Sequence, residues 1–147
     1  MIQKKFNTES ASIQYLIKEL SKRGYTDIHA TQTTNQFEHY DVSATHPLGY
    51  KYEMEVKRRY FDSTKYGDTV IEQSKYNKFL NDKWLDNIDG AWVVTMFNDC
   101  WTISNALQPI FTSEKEVQHT TEFGDSQKVK KTFMHYKLKQ KFNYATI

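Results

Sequence analysis

A single cysteine, Cys100, in 147 residues leaves no partner for an internal disulfide and too few thiolates for a cysteine-rich zinc site. It lies in a turn region with no matched base, so a thiol nucleophile is not expected either. No segment approaches the roughly 18 continuous apolar residues of a membrane span, and residues 1–12 carry no apolar core of signal-peptide length. The expectation is a soluble, cytoplasmic protein with no membrane partner. There is no glycine-rich phosphate loop or nucleotide-binding fingerprint, no internal repeat and no low-complexity tract. The five histidines show no metal-ligand spacing, His39 beside Asp41 included. A net charge of +2 is too small by itself to announce a nucleic-acid binder.

What is present excludes a disordered chain: 38% of residues are hydrophobic and 15% aromatic. Ten tyrosines and nine phenylalanines suit strands, and also surfaces that stack on bases. The length fits one domain over 1–147, large enough for its own core. Thr8, Glu9 and Ser10 offer helix-start chemistry, and Ile13, Leu16, Ile17 and Leu20 recur at helical spacing until Gly24. Strands are expected near 27–33 and 36–45, and the turn His46-Pro47-Leu48-Gly49 folds the second back antiparallel onto a strand at 50–59. A polar loop at 61–68 leads to a helix at 69–84. Residues 91–97, AWVVTMF, form the most apolar run and should be a central buried strand, followed by a strand at 101–105. Residues 108–127 read as loop, and 129–142 as one basic strand. The fold class is α/β (α+β): helix, three strands, helix, two strands, as a core over about 8–107 with a C-terminal basic β extension over about 108–147.

The stretch YKYEMEVKRRY, residues 50–60, holds the chemistry. On a strand, Glu53, Glu55 and Lys57 project together while Met54 and Val56 point the other way. Alone, such a pattern is usually a solvated face with ion pairs. Asp41, with thirteen residues between it and Glu55, changes that, because the hairpin brings its carboxylate near Glu55. Two apposed carboxylates imply a raised pKa or a bound cation, and open oxygen ligands suit Mg²⁺ with its retained waters. A lysine alongside can position an attacking water and neutralise charge on a phosphoryl group.

With these residues in this order, the chain resembles the PD-(D/E)XK nuclease superfamily over about residues 8 to 107. The resemblance implies a restriction-endonuclease-like fold, a mixed sheet flanked by helices, with the metal site on the second and third strands. Tyr40 stands where the family's name expects proline. It also implies that Asp41 and Glu55 hold Mg²⁺, with Mn²⁺ substituting, and that Lys57 serves the water. Glu9, four residues before Ile13, falls on the apolar face of the first helix. It either completes the metal site, as in many members, or favours the helix dipole. Gln73 shares a stripe with Val70, Tyr76 and Leu80 on the second helix, and either orients substrate or Lys57, or is a structural amide. Glu53 lies beside the ligands, one step towards the turn, and Glu19 falls on the polar face.

Arg58 and Arg59 follow Lys57 at the end of that strand, and either suit an approaching phosphodiester or are a solvated strand end. Residues 128–141 contain six lysines and no acid. On one strand, Lys137, Lys139 and Lys141 line a face, with Lys128, Lys130 and Lys131 before them. They read as a DNA-backbone track or as an edge strand protected by lysine. The function implied is a Mg²⁺-dependent DNA endonuclease acting as a homodimer. The rival reading is a catalytically inactive nucleic-acid-binding module of the same fold.

Overall fold

The computed structural model describes residues 8–31, 40–118 and 128–144. Helix α1 (Glu9–Lys22) starts where the Thr8 side chain accepts the Ala11 N–H at 3.0 Å. It stops at Gly24, whose φ of +85° a side chain would resist. Strands β1 (Thr26–Ala30), β2 (Val42–Thr45) and β3 (Lys51–Arg58) follow, then β4 (Asp68–Glu72) and helix α2 (Gln73–Trp84). The chain continues through β5 (Gly90–Met96), β6 (Trp101–Asn105), β7 (Phe111–Gln118), β8 (Lys128–Lys137) and β9 (Gln140–Phe142).

Six strands form a mixed sheet in the order β1-β2-β3-β5-β6-β9, in which β3 and β5 run parallel and the other neighbours antiparallel. α1 lies on one face. Its Ile13, Leu16 and Leu20 pack with Val42, Met54, Val56, Val94 and Met96. The other face is covered by α2 and by a second sheet, β4-β8-β7. Phe79 of α2, Ile71 of β4, and Met134 and Tyr136 of β8 pack there with Ala91 and Val93. The Tyr136 hydroxyl donates to the Ala106 carbonyl at 2.7 Å, so this buried ring carries no unmet polar group. Among the described residues no helix is long and apolar enough to cross a membrane.

Three elements differ from the sequence expectation. The helix expected at 69–84 begins only at Gln73, because Thr69, Val70 and Ile71 form a β-branched run. Thr69 and Ile71 are buried while their neighbours are partly exposed, the period of a strand. Residues 111–118, expected as loop, form β7. Its sequence FTSEKEVQ has no apolar alternation, since it is a largely exposed edge strand paired through its backbone to β8. The single basic strand expected at 129–142 is two strands. β8 lies in the second sheet and β9 pairs with β6 in the first, so Lys137, Lys139 and Lys141 do not share one strand face. Residues 36–39 of the strand expected at 36–45 fall outside the described residues; β2 covers its end.

Candidate active site

The β2–β3 hairpin sets the site. Its register pairs Ser43 with Glu53 and Val42 with Met54. One step further the Asp41 N–H donates to the Met54 carbonyl at 2.8 Å, which places Asp41 against Glu55. The Asp41 carboxylate then turns onto β3, where its Oδ2 accepts the Val56 N–H at 2.8 Å. Because Val42, Met54 and Val56 face α1, alternation puts Asp41, Glu53, Glu55 and Lys57 on the α2 side.

Glu55 is only 2% exposed. Its Oε1 accepts a hydrogen bond from Lys75 Nζ of α2 at 2.8 Å, with Lys57 Nζ at 3.5 Å. Its Oε2 is buried with no hydrogen-bond partner among the described residues, a costly state for a carboxylate oxygen. Burial, with the Asp41 charge beside it, pushes the Glu55 carboxyl above its ordinary range despite the two lysines. Burial alone would pull the Lys75 ammonium down, but the Glu55 carboxylate next to it outweighs that and raises it.

Among the described residues no group of three or more His, Cys, Asp or Glu side chains could hold a metal. The donor set here is two carboxylates, one with an unpartnered buried oxygen. That fits Mg²⁺, which binds through one or two carboxylates and keeps waters for the remaining positions. His39 lies outside the described residues. Glu53 is buried and lines a cavity of about 310 Å³ with Tyr40, Ser43 and Ile88, on the turn side of Glu55.

Several expected placements are corrected. Gln73 is exposed, being the first residue of α2 and not its middle. Counting back from Phe79, the fully buried anchor of that helix, puts Lys75 and Tyr76 on its inward stripe. Lys75 is therefore the residue that α2 contributes, and sequence reasoning missed it by starting the helix four residues early. Glu9 is also exposed; burial on its side of α1 begins at Ser12. Glu19, expected on a solvated face, is 6% exposed and binds Lys22 Nζ at 2.9 Å and Arg23 at 3.0 Å.

Arg58 does not face a phosphodiester. It is buried on the α1 side, donating to the Met96 carbonyl at 3.1 Å, to Asn98 Oδ1 at 2.9 Å and to the Arg59 carbonyl. Arg59 lines a cavity beyond the end of β3. Lys130 is exposed opposite Glu116, and Lys131 pairs with Glu72 at 3.3 Å. Lys137 lies opposite Asp68, and Lys141 reaches Ser63 Oγ at 3.3 Å. Lys137, Lys139 and Lys141 are exposed; the Lys128 side chain lies outside the described residues. Neighbouring strands thus bring acids to a run that has none of its own.

No described protein family matches the sequence, and no curated protein is similar to it. The mixed sheet between its helices is a restriction-endonuclease-like fold. Among solved structures, the chain is similar to Archaeoglobus fulgidus Hjc, a Holliday junction resolvase from an archaeal hyperthermophile. The TM-score is 0.52 at 13% identity, covering 81% of this chain and 77% of that one. At that identity the likeness is one of fold.

Proposed function

We propose that the protein is a divalent-metal-dependent endonuclease that hydrolyses a DNA phosphodiester. The observation that carries this is the buried, unpartnered Glu55 Oε2 on the strand beside Asp41, with two lysines held on the other oxygen. The fold's likeness to a Holliday junction resolvase supports DNA as substrate. Asp41 and Glu55 are the residues that would hold Mg²⁺ or Mn²⁺. Bound there, the ion supplies Lewis-acid polarisation and an acidified water.

The two lysines divide the remaining work. Lys75, in direct hydrogen-bond contact with Oε1, fixes the Glu55 carboxylate and is a positioning residue. Lys57, at 3.5 Å and 25% exposed, is held less tightly and can turn its ammonium to the attacking water or to a phosphoryl oxygen. Cleavage leaves a 5′-phosphate, and two strands are cut by a symmetric homodimer. Glu9 and Gln73, both exposed, are left out of this set.

One observation favours a second reading, an inactive nucleic-acid-binding module: Lys57 and Lys75 together can neutralise Glu55 without an ion. Incubation with plasmid, single-stranded and four-way-junction DNA separates the two readings. The endonuclease cuts in Mg²⁺ and not in EDTA; the module binds in both and cuts in neither.

A further inference from the structure

Beyond the end of β3 the chain builds a second concavity, of about 550 Å³. Its floor is a relay across the three strands of the second sheet. His135 Nδ1 lies 2.7 Å from Asp68 Oδ2, and its Nε2 lies 2.7 Å from Ser113 Oγ. Phe111 stacks on the imidazole at 4.1 Å between ring centroids, so the ring is held on both edges and one face. The walls are aromatic: Phe61, Tyr66 and Phe133 line the space. Phe61 and Tyr66 meet edge to face at 5.2 Å, and Tyr66 remains 65% exposed. Two cations, Arg59 and Lys115, complete the lining.

This concavity adjoins the carboxylate site. Arg59 continues the β3–β5 ladder through its N–H to the Met96 carbonyl, two residues beyond Lys57. At about 3.3 Å per residue that is about 6–7 Å along the strand, the scale of one nucleotide step. Thr69, also in the lining, shares a 2.7 Å hydroxyl contact with Thr95, and Thr95 is paired with Lys57. The relay of Ser113, His135 and Asp68 has the connectivity of a nucleophile, a base and an orienting acid. The aromatic walls and flanking cations match the base and phosphate of a nucleotide together.

We propose that this concavity holds one unpaired nucleotide of the DNA, its base against the aromatic walls and its phosphate on Arg59 and Lys115. The substrate class is then DNA with an unpaired nucleotide beside the cut phosphate, as at a bulge or flap. The reason is energetic: a base must leave its stack to enter a pocket, and that costs least where it has no partner. Stacking on aromatics is tolerant of base identity. This inference rests on the endonuclease reading for the position of the cut, and on the concavity alone for the preference.

The test uses the full chain in EDTA with two duplexes, one fully paired and one carrying a single 2-aminopurine bulge. The bulged duplex should bind at least tenfold tighter, with its fluorescence quenched by stacking. Tyr66→Ala and Arg59→Ala should each lose most of that preference; Tyr66 is exposed, and its variant should keep the wild-type circular dichroism and Tm. Equal affinity for the two duplexes, an unquenched bulge, or a folded Tyr66→Ala that keeps the full preference would overturn the proposal. Cleavage in Mg²⁺ is read separately. Bulge-selective binding with no cleavage would uphold the pocket and remove the endonuclease reading. Cleavage of both duplexes with equal kcat/KM would do the reverse.

Discussion

Lys75 Nζ lies 2.8 Å from Glu55 Oε1, a contact between the second helix and the third strand that joins residues twenty positions apart. It ties the orientation of a buried carboxylate to the packing of α2. Lys75→Met should lower kcat about ten- to a hundredfold, or about 1.4–2.7 kcal/mol, with a smaller change in KM. Activity needs Glu55 ionised, and its carboxyl already sits above the ordinary range. Losing an adjacent ammonium raises it further, so the acidic limb of the pH–rate profile should move to higher pH. A merely structural lysine would lower activity without moving that limb.

Glu55 is charged at a cost to the fold. Its carboxyl is raised in the native state, mainly by burial, so the native state binds the proton better than the unfolded chain. Ionisation then removes stability as pH rises above the unfolded carboxylate range. In EDTA, Glu55→Gln should therefore raise Tm at pH 7, and the gain should vanish below about pH 4, where both states of the wild type are protonated. Urea titrations at the two pH values check this.

Adding Mg²⁺ should invert that order. An ion bound only to the native state stabilises by about 2.7 kcal/mol at a hundredfold excess over Kd. Wild type should gain Tm with Mg²⁺; Asp41→Asn and Glu55→Gln should not. Thermal scans across a Mg²⁺ series measure it.

Glu19 answers to the opposite sign. Burial would raise its carboxyl, but hydrogen bonds and charge from Lys22 and Arg23 outweigh that and lower it. Its stabilisation is present above the unfolded carboxylate pKa and is lost as pH falls through the lower, folded value. The partners are well exposed, so screening holds the figure to about 1 kcal/mol. Glu19→Ala should cost that much at pH 7, lose its effect in acid, and leave kcat unchanged.

The basic strands should bind unevenly. Lys131 is already paired with Glu72, so Lys131→Ala should barely change DNA affinity. Removing the exposed Lys137 and Lys139 should flatten the slope of log affinity against log salt by about 0.9 per lost phosphate contact. Titrations at several salt concentrations distinguish this from an edge-protecting role, which would leave the slope unchanged and bring aggregation.

The hairpin was legible in the sequence because a turn fixes register. His46 to Gly49 sets the pairing of β2 and β3, and two-residue alternation does the rest, so Asp41 meets Glu55 as expected. What was not legible turned on boundaries and on the width of a buried face. The strand-to-helix switch at Glu72–Gln73 hid Lys75 behind Gln73, since the expected inward stripe is anchored on Val70, which belongs to β4 and not to the helix. Tyr15 and Glu19 widen the buried face of α1 beyond its Ile13–Leu16–Leu20 stripe. Lys22 and Arg23 offset the cost of burying Glu19, which apolar spacing cannot reveal. Arg58 follows Met54 and Val56 onto the α1 side by the same alternation that places Lys57, a consequence the charge run KRR concealed.

The central claim, that Asp41 and Glu55 hold an ion for phosphodiester hydrolysis, is tested most directly by cleavage of junction and plasmid DNA with wild type, Asp41→Asn and Glu55→Gln, each in Mg²⁺ and in EDTA. The predicted result is cutting by wild type in Mg²⁺ alone, with each variant at least a hundredfold slower, a loss of about 2.7 kcal/mol or more. Equal cutting in EDTA, or a Glu55→Gln variant as active as wild type, would contradict it.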